Sequence, residues 1–193
     1  MPKKILVILG HPDEESFCAS LAHAYSEGAR EAGAHVEYLS LSALKFDPVL
    51  HKGYHVIQEL EPDLKRAQEL IKWSDHLVIV YPIWFGSTPA LLKGFFDRCW
   101  LPGFAYKFHE GKTMQDKLLK GRTAHLIVTT GGPTWVYKWL FDSPGDHMMK
   151  NCVLEFAGIK PVKMTEFGSI EKTSDKERME LLASVHKKGV KLQ

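Results

Sequence analysis

The sequence predicts an α/β fold: a doubly wound sheet of five parallel strands with helices on both faces. Two observations lead there. Three short apolar runs, Ile5 to Leu9, Leu77 to Tyr81 and Ala124 to Val128, are unbroken rather than alternating. Strands covered on both faces read that way. Helical stripes fall between the runs, and strands alternating with helices build right-handed βαβ units.

The elements follow in order. After Ile5–Leu9, the residues Phe17, Leu21, Ala24, Tyr25 and Ala29 recur at spacings of three and four, and Gly33 supplies a stop. A weaker strand is expected from His35 to Leu39. Leu60, Leu64, Ala67, Leu70 and Ile71 form a second amphipathic stripe before the central strand, Leu77–Tyr81. Ser87-Thr88-Pro89 reads as a helix start, with a capping hydroxyl ahead of a first-turn proline. Leu91, Leu92, Phe95 and Phe96 carry that helix's buried face. Ala124–Val128, a last strand from Val162 to Phe167 and a helix from about Ser174 to Lys188 complete the set. Ser42 to Tyr54 and Leu101 to Gly121 are left irregular, and loops of that length are commonly functional. No repeat, low-complexity tract or linker divides the 193 residues, so one domain over 1–193 is expected.

Composition narrows the function. The chain is 45% apolar and 25% charged, as globular proteins are, and its net charge of +2 is too small to argue for nucleic acid or an anionic membrane. Cys18, Cys99 and Cys152 are odd in number and fall in no metal spacing, which suits reduced thiols and a cytoplasmic setting. Ile5–Leu9 is too short for a signal peptide or a membrane span.

In such sheets ligands collect at the carboxyl ends of the strands, and three unusual segments fall there. The first is Gly10-His11-Pro12-Asp13-Glu14-Glu15-Ser16-Phe17-Cys18. A helix start offers unpaired N–H groups and a positive dipole end to a phosphate, with Ser16 and His11 as further donors. Equally, Ser16 caps the helix and His11 is a turn residue. The second is Tyr81-Pro82-Ile83-Trp84-Phe85-Gly86-Ser87-Thr88-Pro89, whose aromatics either line a planar heterocycle or cover the core. The third is Thr129-Thr130-Gly131-Gly132-Pro133-Thr134-Trp135, with Tyr137 close behind. Its paired glycines let backbone approach a ligand, where a sharp turn would need only one. A phosphate cradle with two walls for a flat ring is the layout of a flavin nucleotide site.

Tyr81-Pro82-Ile83-Trp84-Phe85-Gly86-Ser87-Thr88-Pro89-Ala90-Leu91-Leu92-Lys93-Gly94-Phe95-Phe96-Asp97-Arg98, with Phe104-Ala105-Tyr106 and Thr129-Thr130-Gly131-Gly132 beyond it, resembles the NAD(P)H:quinone oxidoreductase family, which includes flavoprotein ancillary subunits of potassium-efflux systems. The resemblance runs from Ile5 to about Ile170. It implies a flavodoxin-like fold and reduction of quinones or similar flat acceptors by two hydride transfers. Those transfers pass through FMN, with FAD open, and NADPH or NADH is the electron donor. By that likeness His11, Ser16, Phe17 and Cys18 hold the flavin phosphate. Pro82, Ile83, Trp84, Phe85, Thr129, Thr130, Gly131 and Gly132 line the ring system, and Tyr137 is the catalytic candidate. A homodimer is implied, with Tyr106 and Phe108 reaching as lids into the partner's pocket to meet substrate, and a membrane transporter is a further partner the family allows. Two departures stand out. Cys18 replaces a common Asn, and no His follows Tyr137 where family members often carry one to neutralise reduced flavin. A backbone N–H, Tyr137 or Lys138 are the open substitutes.

Two other readings compete. His11-Pro12-Asp13-Glu14 resembles the opening of zinc-dependent N-acetylsugar deacetylases, which needs a further His ligand. A redox-sensing regulatory flavoprotein subunit of a transporter is the other.

Overall fold

A computed structural model of the chain describes residues 1–111 and 114–192. Five parallel strands form one sheet in the order β2-β1-β3-β6-β7. They are β1 (Lys4–Leu9), β2 (His35–Ser40), β3 (His76–Pro82), β6 (Thr123–Thr129) and β7 (Val162–Phe167). A two-stranded antiparallel ribbon, β4 (Tyr106–Lys107) and β5 (Asp116–Lys117), lies outside it. The expected fold class is the one observed, and each strand lies within a residue of the run that predicted it.

Alternate residues of each strand feed two cores, as the period of two dictates. Leu6 and Ile8 join Leu77, Ile79, Leu126 and Val128 on one face, beneath α2 (Pro62–Trp73) and α3 (Ala90–Cys99). Ile5, Val7 and Leu9 join Val78, Val80 and Ile127 on the other, beneath α1 (Phe17–Glu31) and α7 (Asp175–Val190). Helices α1 and α7 touch backbone to backbone: a Cβ on Gly28 would sit 2.2 Å from the His186 carbonyl, and one on Gly189 2.3 Å from that of Tyr25.

Three elements differ from expectation. Helix α3 begins at Ala90 with Pro89 as its N-cap, one position earlier than a first-turn proline, and no side chain caps it. The Thr88 hydroxyl instead points into the core without a partner among the described residues. The segment 101–121 is not irregular throughout, since it folds back as the β4–β5 ribbon. Between β6 and β7 the chain is helical: α4 (Thr134–Trp139), then α5 (Pro144–His147), a π-helical stretch Met148–Leu154 and α6 (Glu155–Ala157). The long 44–61 segment is tied down by Arg98 of α3. This fully buried guanidinium donates to the carbonyls of Asp47 and Glu59 and pairs with the Glu61 carboxylate at 2.9 Å.

Candidate functional site

The three singled-out segments meet at the carboxyl edge of the sheet. Ile83 N–H donates to the Thr129 carbonyl at 2.8 Å, joining the loops after β3 and β6. The His11 ring lies edge-on to Trp84 with centroids 5.5 Å apart, and the Cys18 thiol meets the Thr129 hydroxyl at 3.3 Å. These contacts bring the start of α1 against both other loops.

That helix start is well prepared. Ser16 is the N-cap: its oxygen accepts from Ala19 N–H at 3.3 Å and its proton goes to the Asp13 carbonyl at 2.7 Å. The capping role is therefore real, and it leaves the first-turn amides of Phe17 and Cys18 without an intrahelical acceptor by position. His11 Nδ1 lies 2.9 Å from Asp13 N and 3.1 Å from the Asp13 carbonyl oxygen; with Nδ1 accepting from the N–H, the imidazole proton sits on Nε2, free to donate. The Asp13 carboxylate turns back to accept Glu15 N–H at 2.9 Å, and Glu14 leans toward Ser42. All three acids are exposed, which removes the charge conflict their sequence position suggested. The Cys18 side chain faces the core, where burial pushes its thiol up to about 11, so only its backbone amide is available to an anion.

The crevice beside this helix start has two connected parts. One, of about 530 Å³, is lined by Pro82, Ile83, Trp84, Phe85, Thr129, Thr130, Gly131, Ile170 and Glu171. The other, of about 440 Å³, shares Ile83, Phe85, Thr130 and Gly131 and continues to Gly132, Val136, Tyr137, Phe141 and Pro144. Volumes in this range suit a small organic ligand. The paired glycines are not there for a turn, because neither has a positive φ. Nor does packing require them: a Cβ on Gly132 meets nothing within 4 Å, and one on Gly131 meets only Glu171 Oε1 at 3.8 Å.

Trp84 and Ser87 exchange both backbone hydrogen bonds, at 2.8 and 3.0 Å, around a two-residue tip. Both tip residues have positive φ, 49° at Phe85 and 75° at Gly86, as a type I′ turn requires. A bulky residue with φ > 0 is an outlier. Phe85 is also fully exposed, so the turn holds its ring out over the crevice instead of covering the core.

Tyr137 closes the far wall. Its hydroxyl accepts Gly145 N–H at 3.0 Å, and burial, with the Asp146 charge second, pushes it up to about 12. Lys138 turns away to pair with Glu166 at 2.9 Å, and His147 is exposed, so neither stands in for the His that the family resemblance led one to look for. Sequence reasoning missed Asp146, Glu166, Phe141, Pro144, Ile170 and Glu171. Only Pro144, as a helix-start proline, left any local signal.

Tyr106 lies apart from this crevice. It is 9% exposed, packed in its own core against Phe156 at 5.1 Å and Phe108 at 5.3 Å, and it lines a separate depression of about 250 Å³ with Tyr54, Trp100 and Cys152. Phe108 remains exposed. For the deacetylase alternative, no group of three or more His, Cys, Asp or Glu among the described residues is placed to hold a metal. No helix among them is long and apolar enough to cross a membrane.

A sheet of this order with a crevice at its switch point is the doubly wound α/β architecture in which ligands collect at the carboxyl ends of the strands. A family model described as flavodoxin-like fold matches residues 3–188, and the chain belongs to the NAD(P)H:quinone oxidoreductase family of that fold. By that membership it is an oxidoreductase of the NAD(P)H dehydrogenase (quinone) type. An uncharacterized NAD(P)H oxidoreductase of Haemophilus influenzae is 29% identical, over 92% of this chain and 89% of its own. The NAD(P)H dehydrogenase (quinone) 1 of Cavia porcellus is 30% identical over 70% of this chain, and the match spans 56% of that protein. Among solved structures, the NAD(P)H:quinone oxidoreductase of Methanothermobacter marburgensis superposes with a TM-score of 0.80 at 25% identity over all of both chains. An FMN-dependent NADH-azoreductase of Bacillus anthracis, solved with FMN, shares the fold at 22% identity and a TM-score of 0.73, over 100% of this chain and 99% of that one.

Proposed function

We propose that the crevice holds a flavin, FMN in the first instance, and that the chain passes hydride from NADH or NADPH to quinones or similarly flat acceptors. The observation that carries this reading is the continuity of the site: a helix start suited to a phosphate opens onto a crevice with a glycine wall that neither turn geometry nor packing accounts for. The names of the relatives and the FMN bound by the azoreductase agree with it.

The residues present fit the group. Phe17 and Cys18 amides, His11 Nε2–H and the Ser16 hydroxyl, its proton turned from the Asp13 carbonyl, would hold the phosphate. Pro82, Ile83, Trp84 and Thr129 to Gly132 would hold the ring system, with Phe85 over it. When bound, a flavin supplies the two-electron chemistry, accepting hydride from the nicotinamide and passing it on. The chain's own part is orientation and electrostatics. Ile83, Phe85, Val136 and Phe141 exclude water, and Tyr137 keeps a hydroxyl proton that its bond from Gly145 leaves free to donate into the crevice.

Trp135, Trp139, Leu140 and Phe141 expose large apolar side chains along and after α4, and Phe141 lines the same crevice. A contiguous patch of this kind marks a protein contact. We assign it to a second copy of the chain, which would complete the crevice and place the exposed Phe108 at its junction.

The deciding experiment is an absorption spectrum of the protein soaked with FMN or FAD and then desalted. Retained flavin bands that bleach with NADH or NADPH are expected. Protein that stays colourless under every condition would remove this reading.

A further inference from the structure

Behind the Tyr137 wall the chain buries more negative charge than it neutralises. Asp146 is 3% exposed, and among the described residues no donor other than the nearby Ser143 side chain approaches its carboxylate oxygens. Glu166, from β7, faces it. One Glu166 oxygen is held by Lys138 Nζ and the other is buried and unpartnered. The Tyr81 hydroxyl, from the end of β3, is buried and unpartnered as well. Four oxygen-bearing side chains from β3, α4, α5 and β7 thus gather where only Tyr137 reaches the crevice.

A buried carboxylate with so few donors is a costly arrangement that most proteins avoid, and each case calls for an explanation. Packing does not require it, since Asn would fill the same space and place a donor toward Glu166. The surroundings raise the proton affinity of Asp146. Burial first, and then the Glu166 charge, push its carboxyl up to about 6, while Lys138, His147 and the Ser143 side chain pull the other way. Tyr81 is driven well above its usual value by burial and by the charge of Asp146. Tyr137 feels that charge too. Negative charge placed in the crevice against Tyr137 therefore meets a second negative charge a short way behind it.

We propose that Asp146 is the charge-compensating residue of this site, taking up a proton whenever hydride transfer adds negative charge in front of Tyr137 and releasing it when the hydride moves on. The inference rests on the flavin reading. The balance is simple. Hydride from the nicotinamide brings two electrons and one proton into the crevice, a net charge of minus one. A proton from solvent forms one O–H bond on the Asp146 carboxylate and restores neutrality. When hydride passes to a quinone, the product needs one further proton to become a hydroquinone, and the Asp146 O–H bond breaks as that charge leaves. Asp146 acts through the wall and not on the reacting atoms, so it is a positioning residue. It occupies the role that the chain's sequence leaves without a histidine.

The test follows the Asp146 carboxyl itself. Protein labelled with ¹³C at its aspartate carboxyls is titrated by NMR without flavin, with oxidised FMN, and after photoreduction. The Asp146 signal is assigned by its loss in Asp146→Asn. The expected midpoint is near 6 without flavin, rising by about one unit, a tenfold gain in proton affinity, on reduction. An indicator dye read during photoreduction gives the same answer without any variant, should Asp146→Asn fail to fold. About half an extra proton per flavin is then expected midway between the two midpoints. FMN that binds and is reduced with no movement of the midpoint and no extra proton overturns the inference while leaving the flavin reading intact. Protein that binds no flavin overturns both.

Discussion

The Tyr137 hydroxyl and the Gly145 backbone are joined by a 3.0 Å hydrogen bond, and the contact is tight on every side. A Cβ on Gly145 would sit 2.9 Å from that hydroxyl, 2.9 Å from the Gly86 carbonyl and 3.0 Å from Ile83 Cδ1. This one position thus sets the distance between the aromatic tip, the apolar wall and the tyrosine. Gly145→Ala is expected to push them apart and weaken flavin binding at least tenfold, read by fluorescence quenching. Tyr137→Phe keeps the spacing but strands the buried Gly145 N–H, at a cost of about 1–3 kcal/mol. It should bind flavin nearly normally yet slow its reduction by NAD(P)H in stopped flow. An unchanged rate would take Tyr137 out of the chemistry.

Phe85 offers a trade between stability and function. Its left-handed conformation costs about 1–2 kcal/mol in a residue with a Cβ. Phe85→Gly should therefore raise the melting temperature of the flavin-free protein and at the same time loosen its hold on the ring. A variant that lost stability would show that the aromatic ring packs in a way its exposure does not suggest.

Much of this site was readable before the fold was known. Unbroken apolar runs gave the strands because both faces of the sheet are covered, and strand ends then pointed to the loops. What stayed hidden depends on distant pairing. Asp146 and Glu166 are twenty residues apart, and nothing local shows that they face each other. The helical path through Met148–Leu154 was hidden for a different reason. Its buried positions, Met149, Val153, Leu154 and Ala157, do keep spacings of three and four, but so short a stripe carries no distinguishing signal of its own.

Arg98 should be the most sensitive residue outside the crevice. Arg98→Met leaves Glu61 and two carbonyls without their donor, and breaking a buried pair costs about 3 kcal/mol or more. Denaturant unfolding should show the loss, and hydrogen exchange should rise across residues 44–61. Burial alone would raise Glu61, but bonds from Asp47 N–H, its own N–H and Arg98 hold it below the usual range. Its contribution is present at neutral pH and is lost as pH falls through that lowered value. The variant's acid limb should accordingly be shallower.

Asp146 runs the opposite way. The folded state holds its proton more tightly than the unfolded chain does, so its contribution is complete at low pH and disappears as pH rises through about 6. Asp146→Asn has no such dependence. The melting temperature of the variant should gain on the parent between about pH 4 and about pH 8. A constant difference would mean that the carboxyl titrates normally.

The apolar face on α4 makes a prediction about assembly. Trp139 is 87% exposed, and Trp139→Asp should convert a dimer to a monomer in sedimentation without unfolding it. A parent that sediments as a monomer would assign the patch elsewhere.

The tip bearing Phe85 is closed by its own pair of hydrogen bonds between Trp84 and Ser87, independent of the strand before it and the helix after it. Such a tip is a module. Its outermost residue can be exchanged over evolutionary time, or in a laboratory library, while β3 and α3 keep their register. Acceptor range in this protein can therefore drift one side chain at a time, with the hydride-handling apparatus inherited unchanged.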